Sequence, residues 1–270
     1  MSKTPVLLDY DLGERITAFS STRFGGVSQG HYGEFNVNEY CGDSPEAIQE
    51  NRRLLCEKLC IDPSRLVLPH QVHGTVVRQI NKDFFLLSDV KQRQLLEGVD
   101  AVMTDVPQIC IGVSTADCIP VIIYDTKHHA ACAVHAGWRG TVRRIVRHAI
   151  EAMTVAYGSH PESLRAAIGP GISLEAFEVG DEVYQAFADA GFKMEQIARR
   201  FKSQSSNHNS QTKWHIDLWE CNRQQLIDGG LAAGSIHVAG ICTFNHYADY
   251  FSARRLGINS GRILTGVVLR

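Results

Sequence analysis

Among the side chains that could bind a metal or drive nucleophilic chemistry, four stand out by their setting: His70 and His73 in "HQVHG", Cys118 in "STADC", and His135 in "VHAGWRGT". The histidine pair alone fits three readings: a metal grip, a base beside a nucleophile, or two core histidines. Cys118 and His135 narrow the choice if the chain brings them together. A thiolate beside an imidazole suits zinc, which binds sulfur and nitrogen readily, or a Cys–His nucleophile pair. A third ligand separates the two, and "HQVHG" offers one. Two histidines and one cysteine leave a coordination position open, the mark of a catalytic rather than a structural zinc. Two ordinary core residues remain the alternative.

These residues need elements to place them. In "CIPVIIYDTKHHAACAVHAGW" two apolar runs, 119–124 and 130–135, flank the polar "DTKHH", which predicts a hairpin with a five-residue loop. Pairing Tyr124 with Ala130 puts Ile119 opposite His135 and Cys118 opposite Ala136. Cys118 and His135 then meet at the open end, about 5 Å apart. Strict alternation points them to opposite faces, so a bulge or strand end at 117–118 is needed. "HAGWRGT" next turns from strand to helix. Amides at a helix start attract anions, which makes Arg139 and Gly140 candidate phosphate contacts. Trp138 could stack on a base or cap the core. The glycine-rich "STRFGGVSQGHYGEFN" (21–36) reads as irregular backbone over a pocket, with Arg23 contacting an anion. Asn36 and Gln71 complete the candidate substrate contacts.

The 270 residues are 44% hydrophobic and 21% charged, enough for a sizeable core without staples. The net charge of −2, with scattered Lys and Arg, gives no nucleic-acid stripe and no polybasic anchor. The N-terminus lacks an apolar signal core, and runs such as "CIPVIIY" are too short to span a bilayer. Eight cysteines with no C-x-x-C pair suggest reduced thiols in a cytoplasmic chain. Helices are expected over 43–60, capped by Ser44 with Pro45 in the first turn, and over 141–158, 180–191 and 218–230. Strands are expected over 75–80, 109–113, 119–124, 130–135, 164–168, 236–242 and 262–269. Without strict βαβ alternation, this predicts an α+β fold with mixed sheets. The polar stretch 202–213 reads as an exposed mobile loop.

The segments "TRFGGVS", "NVN…GD…ENR", "HQVHG", "DAVMTD", "STADCIPV", "VHAGWRGT", "IGPGIS", "FEVGDEV" and "FSARR…GR" occur in the order seen in one family. The chain resembles the laccase-domain, or polyphenol-oxidase-like, proteins over nearly its whole length. The resemblance implies a single domain over 1–270, with mixed β-sheets sandwiched by helices as in the catalytic domain of cytotoxic necrotizing factor. It implies zinc-dependent phosphorolysis of adenosine, inosine, guanosine and methylthioadenosine, with adenosine deamination, and so purine nucleosides and phosphate as partners. The family's metal ligands carry onto His73, Cys118 and His135. Many members have cysteines where this chain has Gly171 and Ala176. Copper is the alternative metal, but multicopper chemistry needs several histidine clusters, and one coherent cluster is found. Asp117, beside a ligand, is the candidate proton carrier, or else it orients a ligand histidine. The H-x-E…P-C-x-x-C pattern of cytidine-type deaminases is absent. A cysteine hydrolase using Cys118 and His135 is the other enzymatic reading.

Overall fold

The structure is a computed structural model that describes residues 3–202 and 212–270. Among these residues, two mixed sheets pack face to face. The first orders its strands Leu7–Tyr10, Ile16–Ser21, Ile263–Leu269, Cys110–Thr115, Leu66–Val67. The second orders Ile236–Val238, Leu164–Ile168, Ile119–Asp125, Ala130–Ala136, Ala101–Thr104, Val77–Gln79. Central pairs are antiparallel. Parallel pairs lie toward the edges, at Leu66–Val67, Ile236–Val238 and Val77–Gln79. This is the expected class of mixed sheets with helices.

Side-chain alternation sorts the layers. Ile111, Val113, Val267 and Leu269 of the first sheet meet Ile122, Tyr124, Ala131 and Ala133 of the second in one buried cluster. The opposite face of the second sheet, with Val121, Ile123, Cys132 and Val134, packs on the helices Ile145–Tyr157 and Leu218–Asp228. The outer face of the first sheet, with Phe19, Leu264 and Val268, is covered by Phe35, Val37, Leu55 and Leu59. The central strands are therefore buried on both faces, and they read as continuous apolar runs.

The helix Pro45–Leu59 begins as expected. Ser44 Oγ accepts from the Ala47 amide at 3.3 Å, and Cys60, at φ 52°, closes the helix in the left-handed region. The single helix expected over 141–158 is instead two, Trp138–Val142 and Ile145–Tyr157. Arg144 breaks it at φ 63°, held there by a 2.9 Å bond to the Ala190 carbonyl and by stacking 3.5 Å from the Phe192 ring. The strand expected over 236–242 ends at Val238, before Gly240 at φ 64°. A three-stranded sheet, Glu178–Val179, Thr212–Ile216, Ala198–Lys202, was not expected. Of the stretch read as a mobile loop, 203–211 lies outside the described residues.

The hairpin register also needs correcting. Ile119 pairs with Ala136, Pro120 with His135 and Asp125 with Ala130, one residue from the expected pairing. The turn is the cause. Asp125 Oδ1 accepts the amides of Lys127 at 2.9 Å and His128 at 3.1 Å, which tightens the loop to four residues and extends the strand through Asp125. The slip removes a conflict. Pro120 and Cys118 share a parity, so Cys118 belongs on the His135 face, diagonally across the hairpin end.

Candidate metal centre

His73, Cys118 and His135 converge, with one donor atom from each lying within 4.8 Å of the others. Each comes from a different device. His135 stands near the end of the central strand Ala130–Ala136 and is buried. Cys118 follows Asp117, whose φ of 85° is rare outside glycine and turns the chain into the strand Ile119–Asp125. Both Asp117 oxygens brace that turn, accepting from Thr243 Oγ1 and from the Arg254 amide at 2.7 Å each. His73 stands in "HQVHG" at φ 61°, and Arg143 Nη2 donates to its carbonyl.

Asp100 ties two of these devices together. It is fully buried. Its Oδ1 accepts from His135 Nδ1 at 2.7 Å and from the His73 amide at 2.9 Å. Its Oδ2 accepts from the amides of Gly74 at 2.6 Å and Val72 at 3.2 Å. One carboxylate thus shapes the "HQVHG" loop and fixes the His135 tautomer, leaving Nε2 for a ligand. Burial pushes the Asp100 carboxyl up, but His135 and the loop amides outweigh it and hold it below the ordinary value. The sequence offered Asp117 as a proton carrier or as the carboxylate that orients a histidine; the carboxylate bonded to His135 is Asp100.

Cys118 Sγ lies 3.7 Å from His73 Nε2, and the two imidazole rings meet edge to face at 4.8 Å. Burial raises the Cys118 thiol, but His135 and His73 together bring it down to about 6. Burial lowers His135, while Cys118 and Asp100 lift it to about 9. The pair thus favours a thiolate. Glycine at 137 makes the convergence possible, because a Cβ there would sit 2.6 Å from His73 Cδ2 and 3.2 Å from Cys118 Sγ. Two imidazoles, a thiolate and an orienting carboxylate fit a zinc-type ion.

The three candidate donors open onto a cleft of about 530 Å³. Gln71 lines it, with its amide exchanging two bonds with the Ser114 main chain at 2.8 and 2.7 Å. His70 lines it too, bonded to Glu97 at 2.8 Å and stacked on Tyr40 at 4.1 Å. Other expected contacts lie elsewhere. Arg23 does not line the cleft; its guanidinium donates to the carbonyls of Gly33 and Tyr247 and stacks on Phe251. Asn36 is buried in a network with Asp43 and the Arg262 amide. Arg139 is exposed over Trp138, and Gly140 is packed 3.1 Å, measured from a notional Cβ, from the Gly74 carbonyl. Gly171 has room for no larger residue without movement, since a Cβ would meet Ile119 Cδ1 at 2.4 Å.

Residues 17–270 match the family model described as multi-copper polyphenol oxidoreductase laccase. The chain is 46% identical over 254 residues to a purine nucleoside phosphorylase of Bacteroides thetaiotaomicron, covering 94% of this chain and 92% of that protein. It is 39% identical to adenosine deaminase RL5 of an unknown prokaryotic organism, over 94% of each chain. The crystal structure of Bacillus licheniformis hypothetical protein YfiH is similar with a TM-score of 0.86 at 25% identity, covering 99% of this chain and 97% of that one.

Proposed function

The chain belongs to the multi-copper polyphenol oxidoreductase laccase family, and on that premise we propose that it is a zinc-dependent purine nucleoside phosphorylase. Its substrates in this reading are adenosine, inosine, guanosine and methylthioadenosine, and it also deaminates adenosine. Residues 1–270 act as one cytoplasmic catalytic unit. The observation that carries the reading is the convergence of His73, Cys118 and His135 on one point, with Asp100 behind them. The names of the similar proteins supply the substrate class. The family description prints copper, yet one three-donor group is found among the described residues, which suits a single ion.

A bound zinc ion would supply Lewis acidity and a lowered pKa for water at the open position. The chain's own residues do the rest. His135 presents Nε2 because Asp100 holds Nδ1. The Asp117 turn presents Cys118, so Asp117 positions rather than touches substrate. In phosphorolysis a phosphate oxygen bonds to C1′ as the bond from C1′ to the purine breaks. The electron pair leaves with the base, which takes up a proton. In deamination water replaces the C6 amino group and ammonia leaves.

The test combines metal analysis with product analysis. About one zinc per chain is expected, as an open three-ligand site requires. Inosine should give hypoxanthine and a ribose phosphate, and only with phosphate present. Several coppers per chain, or free ribose made without phosphate, would overturn the reading. The lowered Cys118 thiol beside His135 favours one second reading, a cysteine hydrolase. Alkylation separates the two. A metal-bound Cys118 resists labelling until a chelator is added, whereas a nucleophile is labelled in the active, metallated protein.

A further inference from the structure

The cleft beside the metal ligands has an unbalanced lining. Its basic side chains are His70, His73, His135 and Arg262, and no Asp or Glu lines it. Glu97 stands behind His70 and engages its Nδ1. Arg262 has no carboxylate within ion-pair distance among the described residues. Instead its guanidinium is clamped by main-chain carbonyls: Nη1 donates to Ser260 and Gly261, and Nη2 donates to Ile258 at 2.9 Å. Its own amide donates to Asn36 Oδ1 at 3.1 Å, so both ends of the residue are fixed. Carbonyls orient the fork without neutralising it. The positive charge stays available to an anion, and little ordering is left to do on binding.

A second observation lies across the strand pair. Ile263 pairs with Thr115, so this strand pair ends at the cleft, and Arg262 and Thr115 both line it. Thr115 lines the cleft and is buried, and its hydroxyl has no hydrogen-bond partner among the described residues. A hydroxyl without a partner and a guanidinium without a carboxylate, lining one cleft, suit a tetrahedral oxyanion.

We propose that Arg262, with Thr115, is the anchor for inorganic phosphate in the cleft. This rests on the phosphorolysis reading above. It moves the anion site away from Arg23, which does not line the cleft, and from the exposed Arg139. It also gives the Asn36 network a purpose, since Asn36 positions the Arg262 main chain.

The experiment is steady-state kinetics of inosine cleavage by the zinc-loaded protein, with phosphate and inosine varied separately. Arg262→Gln is expected to raise the KM for phosphate at least about tenfold, the scale of a lost charge-assisted pair. The KM for inosine should move less than about threefold. Arg262→Lys keeps the charge but not the fork, and should fall between. Sulfate should compete with phosphate in the wild type and lose that competition in Arg262→Gln. A merely structural role for Arg262 in the 258–261 turn would move both KM values together and leave sulfate competition intact, which overturns the assignment. Thr115→Val keeps the shape and tests the site should Arg262→Gln fail to fold; an unchanged phosphate KM there counts against the site. If the wild type needs no phosphate, the phosphorylase reading falls and takes this one with it. If it needs phosphate and the Arg262 variants bind it normally, this inference alone falls.

Discussion

The hairpin of strands Ile119–Asp125 and Ala130–Ala136 has an aspartate–histidine pair near each end. At the turn, Asp125 Oδ2 meets His128 Nδ1 at 2.8 Å. At the open end, Asp100 Oδ1 meets His135 Nδ1 at 2.7 Å. Both carboxylates are buried, both bind backbone amides, and each end has a second histidine nearby. At the turn, that second histidine uses both nitrogens: His129 Nδ1 meets the Tyr124 hydroxyl at 3.0 Å and Nε2 meets the Arg270 carbonyl at 3.2 Å. At the open end, His135 keeps Nε2 and His73 offers Nε2 beside a thiol. Residue types are therefore poor guides to a site. What separates the two ends is convergence of nitrogens that the fold has left without another partner.

The largest effect should come from changing each aspartate to asparagine. In Asp100→Asn either orientation of the amide sets an NH₂ against backbone donors, because both Asp100 oxygens accept main-chain N–H groups. In Asp125→Asn one orientation keeps Oδ1 on its two amides, and His128 can switch tautomer to accept from the NH₂. Asp100→Asn should weaken metal binding about 10–100-fold and cost about 2–4 kcal/mol of stability. Asp125→Asn should cost about 1 kcal/mol and leave metal affinity alone. Chelator competition and denaturant melts measure both. Equal losses of metal affinity would show that the two ends do not differ as argued.

Two glycines sharpen the same contrast. Gly137 has an ordinary φ of −67°, so alanine there meets no backbone strain, only the ring of His73 and the sulfur of Cys118. Gly158 has φ +69° with open space around it, so alanine there meets only strain. Gly137→Ala should weaken metal binding about tenfold with a small stability loss. Gly158→Ala should cost about 1 kcal/mol and leave the metal alone. A Gly137→Ala protein that binds metal as tightly as the wild type would mean that the ligands have slack the geometry does not suggest.

Local pattern put Cys118 and His135 on one hairpin, and the family resemblance, not residue type, singled out His73 as the third donor. Local pattern misread the register, because the tight turn depends on the Asp125 carboxylate reaching amides two and three residues on, which alternation of apolar residues does not report. It missed Asp100, whose partners lie 26 to 35 residues away and which precedes a strand, "AVMT", too short for periodicity. The usable signal was an acidic residue directly before the short, mostly apolar run Ala101–Thr104. It overlooked Arg262 for a similar reason. Arginine near a glycine loop drew attention to Arg23, while strand pairing at the far end of the chain is what brings Arg262 to the cleft. The break at Arg144 was invisible because the apolar stripe continues through it, and the residues that hold it, Ala190 and Phe192, come from another element.

The smallest effect expected is a change in acid sensitivity at the turn. Burial pushes the Asp125 carboxyl up, but the donors around it, the ring and amide of His128 among them, hold it well below the ordinary carboxylate range. A carboxyl whose pKa is lower folded than unfolded stabilises the fold fully above the unfolded value, near about 4. That contribution fades as pH falls toward the folded value. Asparagine does not titrate, so the stability gap between wild type and Asp125→Asn should be steady from about pH 7 to pH 5 and narrow below about pH 4. Melts across that range, on metal-free samples of both proteins to keep the ligands' own protonation out of the difference, give the gap directly. A gap that stays constant into acid would mean that the turn needs the shape of Asp125 but not its charge, and the likeness between the two ends of the hairpin would then stop at geometry.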